Sequence, residues 1–218
     1  MSCIHVIMNL NLTPFQEPRG VMRVLQLIFA ICAFTTTANF SVDYQTDCSD
    51  LPKPTTWNID YPFKFYENVC QRASNNESLA ITADVSTDAQ FFVATGVLAM
   101  LYGGFIIFVY AFLDELYKSK NEIPLADFML TTIFAVLWLS SSAAWANSTS
   151  ALKNVLDPQY AIEMCKHCRA SNSGFNGLHS SLLLGFLNFF LWASDLWFVY
   201  KETYWFQTRQ GPSQTPIS

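Results

Sequence analysis

Charge is scarce in this chain. Aspartate, glutamate, lysine and arginine supply 13% of its 218 residues, against about 25% in an average soluble domain. No basic tract is long enough to suggest a nucleic-acid surface, the net charge is −5, and no low-complexity repeat is visible. A nucleic-acid partner is therefore not expected. Histidine is limited to His5, His167 and His179. His5 and His179 are isolated, and His167 is crowded between Cys165 and Cys168 in one turn, which cannot easily close a tetrahedral zinc site alone. The first twenty residues lack the basic segment, apolar core and small-residue cleavage site of a secretory leader. Ser2 stands where N-myristoylation needs glycine. The first apolar segment, beginning near Arg23, is expected to act as its own uncleaved insertion signal.

Long apolar runs are what the chain has in abundance. It is 51% hydrophobic and 16% aromatic, with four runs at 21–40, 91–113, 125–146 and 178–200. Each holds roughly 20 residues or more, which at about 1.5 Å per residue crosses a hydrocarbon core of ~30 Å. The runs lack the alternation of barrel strands, so helices are the form that satisfies their backbone groups within lipid. Tyr117, Trp145, Tyr200, Tyr204 and Trp205 lie near span ends, where amphipathic rings favour the headgroup level. The expected fold is an all-α membrane protein, a four-helix transmembrane bundle with a small disulfide-stapled lumenal β element in the first loop. It divides into an N-terminal cytoplasmic segment at 1–20, a four-span domain at 21–203 with loops at 41–90 and 147–177, and a short cytoplasmic tail at 204–218.

An even number of spans puts both termini on one side. Cys48 and Cys70 fall in the first long loop and Cys165 and Cys168 in the second. Cysteine pairs on one side of a membrane point to an oxidising compartment, so the long loops are expected to be lumenal and the termini cytoplasmic. Four cysteines allow three connectivities, of which the local one, Cys48 with Cys70 and Cys165 with Cys168, is expected from proximity. In the first loop Trp57, Ile59, Tyr61, Phe63 and Phe65 alternate with polar residues, as do Leu79, Ile81, Ala83 and Val85 further on. This is the period of half-buried strands, with Pro62 marking an edge or bulge, and it predicts one antiparallel pair with Cys70 in the connection.

Several residues invite a more specific reading. Ala99 and Gly103, and likewise Ser140 and Ala144, are small residues four apart that allow close helix packing, within one chain or between chains. Asn76 begins an N-glycosylation tripeptide well out in the first loop, with an unmodified turn as the alternative. Asp195 lies about 9 Å along a helix before Lys201, and is expected at the cytoplasmic interface or in a small polar gap. Asp127, near its helix start, reads as a cap-region residue. Cys165-Lys166-His167-Cys168 could form a structural disulfide, cycle between dithiol and disulfide as in a membrane thiol oxidoreductase, or contribute to a metal site. A channel or transporter would need a polar stripe through the bundle, for which the spans offer few polar residues.

Blocks along the chain resemble the synaptophysin and synaptoporin family. They are Glu17-Pro18-Arg19-Gly20-Val21-Met22-Arg23 running into the first span, Tyr61-Pro62-Phe63 in the first loop, Leu125-Ala126-Asp127-Phe128 and Trp138 to Ala146 in the third span, and Gly185-Phe186-Leu187-Asn188 and Leu196 to Thr203 in the fourth. The resemblance implies a MARVEL-type four-span domain of synaptic or other small secretory vesicles, acting by association and not by catalysis, without a cofactor. It implies a synaptobrevin-type fusion protein as partner, self-association into homo-oligomers, and contact with the lipid bilayer, cholesterol included. The chain departs from the family in lacking long Tyr-Gly-Pro-Gln tail repeats, in the close spacing of Cys165 and Cys168, and in carrying Asp195 where synaptophysins have a neutral amide. It thus reads as a short-tailed, divergent member.

Overall fold

A computed structural model describes residues 13–49, 53–71, 78–119, 122–164 and 168–203. Among them, four helices are long and apolar enough to cross a membrane. A short 3₁₀ turn leads into helix α1 (Pro18–Ala38). Its proline sits in the first turn, where no backbone N–H is needed. The remaining spans are α2 (Ser86–Phe112), α4 (Glu122–Val155) and α6 (Asn176–Glu202). Helix α3 (Asp114–Ser119) links α2 to α4, and α5 (Pro158–Met164) follows α4.

The bundle is apolar outside, and inside it mixes aromatic and small residues with a set of buried polar ones. The inward face of α6 reads Leu178, Ser181, Gly185, Asn188, Trp192, Asp195 and Val199, a strict three-and-four spacing, while Leu183, Leu187, Phe190 and Trp197 face outward. Helix α4 buries Asp127, Thr131, Trp138, Ser141, Ser142 and Trp145 and exposes Met129, Ile133, Val136 and Leu139. Lipid solvates the outer apolar side chains, so packing and hydrogen bonds between polar interior residues hold the helices together. Antiparallel α4 and α6 match layer by layer, with the Phe134 ring 4.8 Å from that of Trp192 and Trp145 Nε1 donating to Ser181 Oγ at 3.1 Å.

Helix α4 outruns its expected end at Ala146. Its 34 residues span about 51 Å at 1.5 Å per residue, well beyond a hydrocarbon core. The buried face continues through Ser148, Thr149 and Leu152, and Ser148 donates to Asp88 in the first turn of α2. Residues expected to begin the second loop therefore extend the helix instead.

On the long-loop side lie, among the described residues, five strands in two sheets. Strands β1 (Ser41–Cys48), β2 (Thr55–Asp60) and β5 (Cys168–Asn172) form an antiparallel sheet in the order β2-β1-β5, and β3 (Lys64–Gln71) pairs with β4 (Ser78–Asp84). The single run expected over Trp57–Phe65 is thus divided. Its first half joins β1, its second half joins β4 in the expected antiparallel sense, and the Tyr61-Pro62-Phe63 turn separates them. Cys70 lies within β3 and not in a connection. Phe63 adopts a left-handed backbone (φ 64°), rare for a bulky side chain. It is fully buried, its ring 5.5 Å from that of Trp145 and 6.2 Å from that of Phe40, so this turn docks the strands on the helices.

The disulfide expectation is corrected. Cys48 is bonded to Cys168, 120 residues away. Strand register decides this, because β1 and β5 place the two cysteines directly opposite each other. The bridge joins the two long loops where separate bridges within each were expected. Cys165, Asn76 and the tail from Tyr204 lie outside the described residues, as does the side chain of Cys70.

Candidate functional site

The densest chemistry lies inside the bundle, towards the end where α1 begins, α6 ends and α3 leads to α4. Arg23 and Gln26 are a turn apart on α1 and both fully buried. Arg23 Nη2 reaches Asp127 Oδ1 of α4 at 2.5 Å and donates to Thr131 Oγ1 at 2.7 Å. Its Nη1 donates to Gln26 Oε1 at 3.0 Å and lies 3.1 Å from Asp195 Oδ2 of α6. Gln26 Nε2 donates to that same Oδ2 at 3.0 Å. The guanidinium also sits 5.3 Å from the Trp192 ring and 5.7 Å from the Tyr102 ring, within cation–π range.

Asp127 is the hub. Besides Arg23, it accepts from the Tyr102 hydroxyl on Oδ1 at 2.6 Å, and on Oδ2 from Tyr110 at 2.6 Å and Tyr117 at 3.0 Å. Tyr102 and Tyr110 belong to α2 and Tyr117 to α3, so one carboxylate ties α1, α2 and α3 to α4. Burial, then the neighbouring Tyr110 and Asp127, push the Tyr117 phenol well above its ordinary range. Asp127 is therefore corrected from a cap-region residue to a structural centre, whereas Asp195 occupies a polar gap between helices, one of the two expected places.

Arg19 closes the network nearer the surface. Its guanidinium is 2.8 Å from Glu17, 3.4 Å from Asp114 and 3.5 Å from Glu202, and lies 5.2 Å and 5.3 Å from the Tyr110 and Tyr117 rings. Chemically, the arrangement is a set of fixed charges and donors facing one another across helices. It locks helix positions because removing either member of a buried pair strands the other.

The predicted packing residues divide. Ala99 and Gly103 are turned inward, and Gly103 faces Leu27 of α1. Ser140 is exposed on the outer face of α4, with Ala144 half-buried beside it. Closer contacts arise at three glycines that small-residue spacing did not single out, Gly96, Gly177 and Gly185; a Cβ on Gly177 would stand 2.5 Å from Phe40 Cδ2. A Cβ on Gly96 would stand 2.7 Å from Phe34 Cβ, and one on Gly185 would stand 2.6 Å from both Phe92 Cε2 and Ser142 Oγ.

Sequence reasoning missed Arg23, Gln26, Tyr102 and Tyr110 as members of a site. A signal was present, since Arg19, Arg23 and Gln26 recur at four and three residues, one helix face inside an apolar run. Four membrane-length helices with an apolar exterior, and charged groups held in the interior of the bundle, make this an integral membrane protein. The model of the MARVEL family, a membrane-associating domain, matches residues 15–198. That stretch takes in all but the last few residues of the bundle, and the chain belongs to the MARVEL family.

Proposed function

We propose that this protein is a non-enzymatic organiser of small secretory vesicle membranes, of the synaptic vesicle type, that sorts or retains membrane proteins in exocytosis and vesicle recycling. The observation that carries the reading is the bundle with an apolar outer surface and its charges held inside. Its buried charges face one another across helices, and it offers lipid-facing helices and a stapled loop layer to its surroundings. Resemblance to synaptophysins supports a synaptobrevin-type partner, homo-oligomers and a cholesterol-containing bilayer. The Cys48–Cys168 bridge supports lumenal loops and cytoplasmic termini, since such bonds persist in oxidising compartments. Localisation of a tagged chain, followed by crosslinking in isolated vesicles, tests the proposal. Co-localisation with vesicles and a crosslinked fusion protein are expected, and both should survive deletion of Gly211 to Ser218. Residence in another membrane would overturn the vesicle role.

The thiol oxidoreductase reading has one specific observation to answer. Cys168 is held on a strand ladder by Cys48, an arrangement suited to a structural bridge. Turnover of a thiol substrate by purified protein, lost when Cys165 and Cys168 are both changed to serine, would reverse the non-enzymatic reading.

A further inference from the structure

The charges in the bundle do not balance. Among the described residues, Arg23 is the one cation set between Asp127 and Asp195, all three essentially sealed from solvent. Two carboxylates against one guanidinium leave a net negative charge in a buried site, a costly arrangement unless something neutralises it. The two carboxyls are also served unequally. Asp127 accepts from the guanidinium at 2.5 Å and from three tyrosine hydroxyls, spread over both of its oxygens. Asp195 receives Arg23 and Gln26 on Oδ2 alone, at 3.1 and 3.0 Å, while its buried Oδ1 has no hydrogen-bond partner.

We propose that the Arg23–Asp127–Asp195 triad is a proton-binding site, with Asp127 as the anion and one proton held on Asp195 in the folded, membrane-embedded protein. This stands independently of the vesicle reading. The groups facing Asp195 agree with it. From α1 come Arg23 and Gln26, and from α4 comes Asp127, whose own charge opposes a second anion beside it. Arg19, farther out on α1, is already engaged by Glu17, Asp114 and Glu202. A metal cation fits poorly, because hard cations such as calcium take about six to eight oxygen ligands, and no metal-holding cluster occurs among the described residues. The Leu191 carbonyl one turn earlier, which accepts from Gln26 Nε2 at 3.3 Å, is the kind of acceptor a carboxyl hydroxyl on Asp195 would use. Thr131 and Thr132 bond their own carbonyls four residues back in this manner.

Infrared spectroscopy of the purified protein in lipid nanodiscs tests the proposal, since a protonated carboxyl has a carbonyl stretch distinct from carboxylate bands. At neutral pH a protonated-carboxyl signal is expected in the wild type, absent from Asp195→Asn, and lost from Asp127→Asn as well, because Asp195 is then the carboxylate left facing Arg23 and ionises. Asp195→Asn should fold normally, because a neutral amide replaces a neutral acid. Binding one more proton in the folded state makes stability fall as pH rises, and the same variant should remove that slope. No protonated-carboxyl signal, a signal that survives Asp195→Asn, or misfolding of that variant would overturn the assignment.

Discussion

A fully buried aspartate that gathers an arginine and three tyrosines concentrates much of the bundle's polar binding in one side chain. Asp127→Ala leaves Arg23 without its shortest partner and strands the hydroxyls of Tyr102, Tyr110 and Tyr117. A cost of about 3–5 kcal/mol is expected from breaking such a buried pair, measurable as a lower thermal midpoint in detergent. The two glycines Gly185 and Gly104 make a sharper comparison. Gly185→Ala drives a methyl group into Phe92 and Ser142, at 2.6 Å from each, and overpacking of this kind costs about 1–3 kcal/mol. Gly104→Ala meets nothing within 4 Å and is expected to be neutral, or to stabilise the helix by up to about 1 kcal/mol. Equal stability of the two variants would contradict the interior packing described here.

At the scale of the element, the loop layer depends on a strand pairing that spans most of the chain. Cys48→Ser removes the covalent link between β1 and β5, and loss of about 2–5 kcal/mol is expected by comparison with small disulfide-stapled domains. Non-reducing peptide mapping should show Cys48 joined to Cys168 in the wild type; a Cys48–Cys70 product would contradict the register. Sequence showed the helices well, because long apolar runs need no partner to be recognised. It showed the strands unevenly. The Trp57–Phe65 alternation was visible, yet the division at Pro62 depends on Phe63 finding Phe40 and Trp145, a tertiary contact. Strand β1 buries Val42, Tyr44, Thr46 and Cys48, but its Asp43, Gln45 and Asp47 are so polar that the segment resembles a linker. The candidate site stayed hidden for a related reason. Arg23 and Asp127 lie near helix starts, where a charge ordinarily faces the headgroups, and only the packed bundle shows that they meet.

Taken whole, the molecule presents lipid with Leu98, Leu101, Phe105, Val136, Leu183 and Phe190, all largely exposed. If homo-oligomers form through α4, Ser140 on its outer face is where a second copy can approach closely. Ser140→Leu should then reduce dimer crosslinking in membranes and leave the thermal midpoint of the single chain unchanged. The same change at an unrelated lipid-facing position should do neither. The loop layer bears on how the chain is made. Cys168 leaves the ribosome 120 residues after Cys48, a delay of about 6–24 s at 5–20 residues per second. Through that interval β1 has β2 beside it but no β5, and its thiol has no native partner. The first loop must wait, reduced and missing its third strand, until two more spans have entered the bilayer. Chains stalled before residue 168 should therefore keep Cys48 open to thiol-modifying reagents, and chains released after it should lose that reactivity as the second loop arrives.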